Sequence, residues 1–387
     1  MRKLRNLIIW IIVSIIVQTG VLYYFDKYHF RNAGDVTYKV VKSTEKKDEV
    51  ISVSIPKDAK NITTSYTGKY AYYYSGSSIY VVNMLTGKSN AIKLGVDIDN
   101  VCIDWSSTSD SLLMLELDPD NLFFKVYTYY PDTNNKEENQ DAENKARKYY
   151  LGKNSILNMK QNNLTTLIYI KSAYSKSSTK RYMSSLDITN GINQLDLPIK
   201  NIGDYYIFKA EDKLAYEDEV DKKVYISKQQ SKGDVETQKV QISGVDNYKL
   251  ISVYDKYIYV GNLVDGKIDT IYYASIASQN LGNDNQSSNS KYSNIKSSDI
   301  LPNRENKSDD FTADWQEIKL RKPIDPKFIS ISTNTGDMHI IDNLRGTVEN
   351  IKTKKKTQFD GQYVGMSDDD VVSFNSDKGK LIETKLK

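Results

Sequence analysis

The sequence lacks most of the residues from which metal sites and nucleophilic active sites are built. One cysteine, Cys102, and two histidines, His29 and His339, occur among its 387 residues. This set cannot form a zinc site, and a Ser–His–Asp triad needs a histidine held against its serine. A single cysteine also excludes an intramolecular disulfide, so packing must stabilise the fold. We therefore predict no catalytic residues, no metal site and no cofactor.

The remaining candidates for chemistry have ordinary structural interpretations. Cys102 lies in an apolar stretch, which predicts a buried and inert thiol. His339 lies in an alternating pattern, which predicts a histidine on the surface of a strand. The segment 132–143 resembles a calcium loop at its ends, but Lys136 replaces an oxygen ligand and Glu137 replaces the turn glycine. The segment is therefore not an EF-hand.

Long runs of one charge are also missing. The formal net charge is +3, and Arg2, Lys3 and Arg5 supply three positive charges, so the rest of the chain is nearly neutral. Nucleic-acid binding needs a basic stripe that neutralises phosphates, which the short lysine-rich run at 352–356 does not provide. Nucleic acid is therefore not a predicted partner. The 30 tyrosines, the many Lys, Asn and Ile residues and the few prolines resemble the composition of clostridial proteins.

One long apolar run is present at residues 7–25, with 19 positions free of charged side chains. A helix of this length spans roughly 28 Å, close to the hydrocarbon thickness of a bilayer. Trp10 lies near one end and Tyr23 and Tyr24 near the other, as interfacial aromatic residues do. The run predicts one transmembrane helix. A buried core helix is the alternative, but such helices rarely reach this length without a charged face.

The charges that flank this run predict its orientation. Residues 1–6 include Arg2, Lys3 and Arg5, whereas the other flank mixes acidic and basic residues. By the positive-inside rule, we expect a cytoplasmic tail at 1–6 and a single-pass protein of the cell membrane whose bulk is extracytoplasmic. A cleavable signal peptide is the rival interpretation, but suitably spaced small residues are missing. Residues 26–49 are polar and charged, which predicts a linker.

From residue 50 onward the pattern changes to short strands. Residues 50–55 alternate apolar and polar side chains, as a half-buried strand does, and further strands follow in groups of about four. The groups begin near Asn61, Val101, Ser155, Gly203, Tyr248, Lys327 and Gln362. Units of four strands that repeat every roughly 40 to 45 residues are typical of β-propeller blades.

We therefore predict that residues 50–387 form an all-β domain, a six- or seven-bladed β-propeller preceded by the transmembrane helix. In a closed propeller, residues 50–55 would supply the outer strand of the last blade, whose inner strands come from the C-terminus. A stack of β-sandwich domains is the alternative architecture.

Two phrases resemble a known group of propellers. The segment 105–113 (WSSTSDSLL) is similar to the W-S-P-D-G-K-x-L-A turn, and 79–88 (IYVVNMLTGK) to L-Y-V-V-D-L-x-T-G-K, of WD40-like propellers of the TolB and dipeptidyl-peptidase IV N-terminal type. The resemblance implies a propeller over about residues 50–387. The peptidases among these proteins have a catalytic serine in a separate domain, but no G-x-S-x-G nucleophile elbow occurs here.

Two inserts interrupt the repeats. Residues 134–148 are strongly charged, and 279–313 are rich in Ser, Asn, Asp and Lys, with few large apolar residues before Phe311. Neither insert can bury enough apolar surface to order itself alone. We therefore predict two exposed, flexible loops.

Tyrosines supply the candidate interaction surface. Tyr72, Tyr73, Tyr74 and Tyr80 crowd one predicted blade, and exposed aromatic rows can stack on sugars or anchor a protein partner. Tyrosine is also a favoured strand residue that buries its ring, which is the structural alternative.

These features predict a non-catalytic, membrane-tethered propeller that presents an interaction surface in the cell envelope. Its partner would be another envelope protein or a cell-wall polymer, and no small-molecule substrate is evident. Two alternatives stay open: a hydrolase or lyase with its site in the propeller channel, and a structural component of an envelope or sporulation assembly. The first needs inward-facing acidic residues or a metal, and the second needs ring-forming oligomers.

Overall fold

The computed structural model describes two compact units, Met1–Glu49 and Val50–Lys387. In the second unit it describes residues 51–387 except 142, 144, 163–165, 209–210, 230–232, 278–309, 333–334 and 368–369. In the first unit it describes Trp10, Ser14, Val17–Thr19, Val21, Tyr23 and Tyr24, which are helical and exposed.

The predicted membrane anchor falls largely outside these residues. Most of 7–25, together with the predicted tail 1–6 and linker 26–49, is not among the described residues. Within the described part of the chain, no helix is both long enough and apolar enough to cross a membrane. The anchor and its orientation therefore stay predictions.

The second unit consists of seven sheets of four or five strands, which follow one another along the chain. First strands of neighbouring sheets contact one another around most of the ring, and the last sheet takes its outer strand from the start of the domain, so the sheets surround a central channel. The domain is therefore a seven-bladed β-propeller, which confirms the predicted all-β fold and fixes the number of blades. The group starts predicted from the sequence, from Asn61 to Gln362, lie at or near the inner strands of the blades.

The strands of each blade are given from the channel outward. Blade 1 contains β2 (Lys60–Thr64), β3 (Tyr70–Ser75), β4 (Ser78–Asn83) and β5 (Ser89–Ala91). Blade 2 contains β6 (Val101–Trp105), β7 (Leu112–Asp118) and β8 (Phe123–Tyr130), with β9 (Asn135–Glu138) and β10 (Tyr149–Tyr150) both paired to β8. Blade 3 contains β11 (Ser155–Gln161), β12 (Ile168–Ala173), β13 (Tyr182–Asp187) and β14 (Gly191–Gln194). Blade 4 contains β15 (Ile202–Ile207), β16 (Lys213–Asp218), β17 (Lys223–Gln229), β18 (Val235–Val240) and β22 (Asp310–Phe311).

The last three blades complete the ring. Blade 5 contains β19 (Tyr248–Tyr254), β20 (Tyr257–Val264), β21 (Lys267–Ser275) and β23 (Gln316–Ile324). Blade 6 contains β24 (Ile329–Ile331), β25 (Met338–Asp342), β26 (Thr347–Asn350) and β27 (Lys356–Gln358). Blade 7 contains β28 (Gln362–Ser367), β29 (Asp370–Asn375), β30 (Lys380–Lys385) and β1 (Ile51–Ser54). Two short 3-10 helices, Ile98–Asn100 and Pro326–Phe328, precede β6 and β24.

The second strand of each blade lies between two neighbouring blades, and its sequence reflects this position. Strand β7 reads LLMLELD and is buried over its first six residues. Leu112 and Met114 pack in a cluster with blade 1. Leu113 and Leu115 pack in a cluster with blade 3. Because both faces are covered, such strands read as continuous apolar runs and not as alternating ones.

The ring is closed by a strand from the start of the domain. Strand β1 pairs antiparallel with β30, from Ile51 opposite Glu383 to Ser54 opposite Lys380. The prediction that residues 50–55 form the outer strand of the last blade is therefore confirmed. This pairing covers the edge of β30 that an open array would expose.

The two ends of the propeller carry different loops. We call the end with the loops between first and second, and between third and fourth, strands the lower face. The upper face has the loops between second and third strands and the connections between blades. For example, Lys176 Nζ, between β12 and β13, donates to the carbonyl of Asp99, in a blade connection, at 3.1 Å. Strand β1 runs from the lower to the upper face, because Ser54 leads into the connection to blade 1.

The first predicted insert, 134–148, is not a simple loop in its described part. Strand β9 pairs with β8, and an isolated bridge joins Gln140 to Ala146. Arg147 Nε donates to the buried Asp141 Oδ2 at 2.7 Å. The described part of this insert therefore makes backbone pairs and an ion pair where only a loop was predicted, and its flexibility stays a prediction.

The second predicted insert, 279–313, lies outside the described residues up to position 309. Its last residues, Asp310 and Phe311, form a paired strand at a place where the sequence predicted a flexible loop. Strand β22 pairs in parallel with β18, and Phe311 is 1% exposed. This one apolar residue gives the segment a place in the core of blade 4.

Two of the four tyrosines predicted to form an interaction surface are buried. Tyr72 and Tyr73 lie on β3, the second strand of blade 1, and are 8% and 3% exposed. Tyr72 stacks on Trp105 of blade 2, and Tyr73 stacks on Tyr80 of its own blade. The surface prediction is therefore wrong for Tyr72 and Tyr73, because blades cover both faces of β3. Tyr74 and Tyr80 are half-buried, and the prediction stays untested for them.

His339 was predicted on the surface, but it is buried. The residue is 2% exposed on β25, the second strand of blade 6, and its Nε2 lies 3.3 Å from Asn350 Nδ2. The alternating sequence hid this burial, since neighbouring blades cover both faces of β25. Cys102 is half-buried, and burial raises the pKa of its thiol to about 12. The thiol is thus protonated at neutral pH, whereas the predicted full burial of this residue is not found.

Candidate functional site

A cleft of about 610 Å³ opens on the upper face over blades 4, 5 and 6. Its walls come from inner strands, from loops between second and third strands, and from the connection between blades 5 and 6. The lining includes Asp204, Lys222, Lys249, Leu263, Asp325 and Lys327. Because the lining contains three lysines and two aspartates, its walls offer both donors and acceptors without a strong net charge.

Glu217 is the centre of an ion-pair network beside this cleft. It lies on β16 and is 5% exposed. Its Oε1 accepts hydrogen bonds from Lys249 Nζ at 2.6 Å and from the Asp204 amide at 3.1 Å. Its Oε2 accepts from the Leu250 amide at 3.0 Å, and Lys249 Nζ also donates to Asp204 Oδ2 at 2.6 Å. The network therefore fixes the inner strand of blade 5 against blade 4.

Gly203 makes room for the Glu217 carboxylate. A Cβ atom at position 203 would lie 2.6 Å from Glu217 Oε1 and 2.7 Å from its Cγ. The backbone and the carboxylate can therefore approach this closely at a glycine, whereas any other residue would displace one of them.

The charge of Lys249 is fixed by its surroundings. Burial by itself would lower the pKa of Lys249, but the carboxylates of Glu217 and Asp204 outweigh burial and hold the pKa above its ordinary value. Lys249 is therefore a cation at neutral pH, and it lies at the cleft wall with about a quarter of its side chain exposed.

Two further cations extend the network to blade 3. Lys171 Nζ donates to the carbonyl of Gly203 at 2.8 Å. Arg181 Nη1 donates to the carbonyl of Ile202 at 3.0 Å and to Glu219. Burial lowers the pKa of Lys171, and the nearby Arg181 lowers it further. The inner strand of blade 4 is thus held by charged side chains from both neighbouring blades.

The inner strands of blades 2, 3 and 4 bring one more pair of opposite charges together. Asp104 on β6 accepts from the Trp105 amide at 3.0 Å, and burial raises the pKa of its carboxyl, while Lys160 on β11 opposes this rise. Lys160 Nζ lies 5.8 Å and 5.2 Å from the ring centroids of Tyr205 and Tyr206. An acid and an ammonium that rests on aromatic rings therefore lie in the inner wall of the propeller.

A second cleft of about 310 Å³ lies on the upper face between blades 2 and 3. Asp99, Cys102, Leu117, Tyr174 and Lys176 contribute to its lining. Tyr174 is 69% exposed at its rim. The Cys102 thiol at this cleft is protonated at neutral pH, because burial raises its pKa.

The sequence did not reveal this site. Glu217 stands in the acidic run 217–219, and such runs are ordinarily solvated. A weak signal was present, since Glu217 follows the buried run Leu214–Tyr216 in a strand that can be covered on both faces. Among the residues that the structure describes, no group of three or more His, Cys, Asp or Glu residues could hold a metal ion.

Replacing Lys249 with methionine is expected to lower the free energy of unfolding by roughly 2–3 kcal/mol, because Glu217 then lacks its cation. This loss is smaller than the roughly 3–5 kcal/mol of a fully buried pair, since the Lys249 side chain is 24% exposed and solvent screens the remaining charge. Lys327→Met is the control: it lines the same cleft, is 68% exposed and pairs with Asp325, so a change under about 0.5 kcal/mol is expected. Urea unfolding measures both, and equal losses would refute the assigned role of the network.

Comparison with known proteins supports the fold. No protein-family model and no curated protein matches the sequence. The chain is similar to the β-propeller domain of Cps50 (Swd1) from Myceliophteria thermophila, with a TM-score of 0.50 and 8% identity over 87% of this chain and 98% of that chain. It is also similar to the WD40 β-propeller domain of Doa1, with a TM-score of 0.47 and 11% identity over 88% and 96% of the two chains. At this identity, the first similarity shows the propeller fold alone.

Proposed function

We propose that this protein is a non-catalytic, membrane-tethered platform that binds a protein or a cell-wall polymer of the cell envelope through its upper face. The observation behind the proposal is the cleft over blades 4 to 6, with lysines and aspartates on its walls. The Glu217 network holds Lys249 and Asp204 in place, so little ordering of this wall of the cleft is needed when a partner binds. A mixed polar lining of this kind suits the rim of a macromolecular interface.

The tether in this proposal is the apolar run 7–25, with 26–49 as its linker and the N-terminus in the cytoplasm. The length of the uncharged run and the basic residues before it support this arrangement. One anchor would confine the propeller near the membrane and raise its effective concentration towards partners in the same envelope.

Crosslinking in intact cells, followed by purification through a C-terminal tag, tests the proposal. We expect the full-length protein to recover a specific envelope partner, and Lys222→Glu with Lys327→Glu to reduce the recovery at least fivefold by reversing charge at the cleft. The matched control is Lys352→Glu with Lys355→Glu, the same charge change in the lower-face loop between β26 and β27. The tether is tested in the same cells by recovery in membranes after an alkaline wash.

Recovery of no specific partner would contradict the platform. Equal recovery with the upper-face and lower-face variants would contradict the assigned cleft. Release of the full-length protein by the alkaline wash would contradict the tether.

A further inference from the structure

The upper face carries an exposed apolar side chain in five consecutive blades. Each lies in or next to the loop between the second and third strands: Leu122 in blade 2, Tyr174 in blade 3, Val220 in blade 4, Val264 in blade 5 and Leu344 in blade 6. Their exposure ranges from 36% for Leu122 to 100% for Leu344. We call these five residues the apolar crown.

Acidic residues at the ends of second strands hold three of these loops in shape. Asp118 accepts from the amides of Asp120 and Asn121 at 3.1 and 3.0 Å. Asp218 accepts from the amide of Val220 at 2.8 Å, and Asp342 does so from the amide three residues later at 3.1 Å. Each carboxylate closes a short turn from within, so the apolar side chain of that turn points away from the blade.

The distribution of the crown differs from scattered surface residues. In the described part of residues 51–387, five of nine exposed large apolar side chains belong to it. The other four are Tyr66, Leu85, Tyr130 and Tyr150, which lie on the lower face or the outer edge of blades 1 and 2. Turn tips favour Asn, Asp, Gly and Ser, and single exposed apolar residues are common. One in the same loop of five successive blades therefore indicates a surface that is covered by a partner.

The charges around the crown favour a protein over an anionic bilayer. The five loops contain four acidic and five basic residues. These are Asp120, Glu219, Asp221, Asp265, Lys176, Lys180, Arg181, Lys222 and Arg345. Binding of apolar loop tips to anionic lipid gains strength from an excess of Lys and Arg, which this face does not have. Apolar contacts among mixed charges are instead the pattern of a protein–protein interface.

The path of the chain argues against a second copy of the same protein. Strand β1 begins at the lower face, so residues before Ile51 join the propeller at the face opposite the crown. Two copies that met crown to crown would place both joining points on opposite outer sides of the dimer. If the proposed tether holds every copy to one membrane, this arrangement would put the entry point of one copy on the side away from that membrane, which argues against self-association.

We propose that the apolar crown docks a different protein of the cell envelope, whose contact surface is apolar with few charges and spans several blades. This inference rests on the proposed function and names the class of its partner. The partner contacts Val220, Val264 and Leu344 in blades 4, 5 and 6, the three blades over which the 610 Å³ cleft opens. Leu122 and Tyr174 extend the contact over blades 2 and 3.

The test uses the full-length protein in intact cells, with a photo-crosslinking amino acid in place of Leu344 or, as a control, of Leu85 on the lower face. We expect one protein to crosslink at position 344 and not at position 85. A crown variant, in which Leu122, Tyr174, Val220, Val264 and Leu344 are each replaced by serine, is expected to lower capture of that protein at least tenfold. The lower-face variant, with Tyr66, Leu85 and Tyr130 replaced by serine, is expected to leave it unchanged.

Each alternative outcome has its own meaning. Equal capture of a partner by the crown and lower-face variants would refute the crown as the docking site but would not contradict the proposed platform function. Failure of every protein tested, including the wild type, to capture a partner would refute both the crown as a docking site and the proposed platform function. A crosslink between two copies at position 344 would assign the crown to self-association. Crown-dependent flotation with phosphatidylglycerol vesicles would assign it to lipid.

The melting temperature of the crown variant is the control for folding. A value close to that of the wild type shows that the variant loses its partner without unfolding.

Discussion

Replacing Val53 with aspartate is expected to lower the free energy of unfolding by at least about 4 kcal/mol, because the change places a charge in the interface that closes the ring. Val53 lies on β1, is 5% exposed and packs in one cluster with Phe374 and Leu381 of blade 7 and Val82 of blade 1. Burial of a valine contributes roughly 1.5–3 kcal/mol, and an unpaired carboxylate adds a desolvation cost. The two terms together exceed the effect of most single substitutions.

The consequence extends beyond one side chain, since β1 is the strand that joins the two ends of the propeller. If β1 detaches, the backbone of β30 from Lys380 to Lys385 loses its outer partner and becomes an exposed edge. We therefore expect Val53→Asp to aggregate on heating and to melt at least about 8 °C below the wild type. Circular dichroism and light scattering measure both.

Ser52→Asp is the matched control, because Ser52 precedes Val53 on the same strand but is exposed. It introduces the same charge outside the core, so we expect its melting temperature to stay within about 2 °C of the wild type. Equal melting temperatures for the two variants would show that β1 does not close the ring in solution.

This closure could be predicted from the sequence because it depends on a short-range pattern. Alternation at residues 50–55 indicated a strand, and four-strand groups left that strand without a blade of its own. The blade number could not be predicted, since residues 279–313 separate β21 from β23 and hide the fourth strand of blade 5. A sequence shows periodicity within a strand but not which distant strand completes a sheet.

The misassigned tyrosines and histidine have one physical cause. Tyr72, Tyr73 and His339 lie on second strands, which neighbouring blades cover on both faces. Residues that look amphipathic or aromatic in the sequence are therefore buried by packing that is not local. The apolar crown could not be predicted, because single apolar residues in turns, such as Leu344 and Val220, produce no periodic signal in the sequence. They form a recognisable set only when the fold places their loops on one face of the propeller.

Replacing Phe311 with alanine is expected to lower the free energy of unfolding by about 3–5 kcal/mol, the usual cost of removing a fully buried aromatic side chain. Phe311 is 1% exposed and shares a core cluster with Val240, Tyr248 and Ile276. Its ring lies 5.9 Å from that of Trp315 in an edge-to-face arrangement. Leaving a cavity here removes contacts with both blade 4 and blade 5.

Because of the position of Phe311 in the chain, its replacement should lower stability by more than the buried area of its side chain suggests. After β21 of blade 5, the chain passes through residues 278–309, and Phe311 then pairs with the edge of blade 4 before β23 completes blade 5. The Gln241 amide donates to the Phe311 carbonyl at 3.0 Å, and Trp315 Nε1 donates to the Gln241 carbonyl at 3.1 Å. These contacts hold the end of the insert to blade 4, so their loss should free β23 as well.

Hydrogen exchange distinguishes this coupling from simple loss of stability. In Phe311→Ala, exchange is expected to rise first in β23 and in β18, while β2 and β3 of blade 1 keep their protection. Phe311→Leu keeps most of the buried volume and should lower the free energy of unfolding by under about 1.5 kcal/mol. Asp314→Ala changes an exposed residue in the same connection and should leave the free energy of unfolding nearly unchanged. A uniform rise in exchange over all seven blades would mean that Phe311 supports the whole ring and not the junction of blades 4 and 5. That junction underlies the upper-face cleft, so its loosening should also weaken binding of the proposed partner.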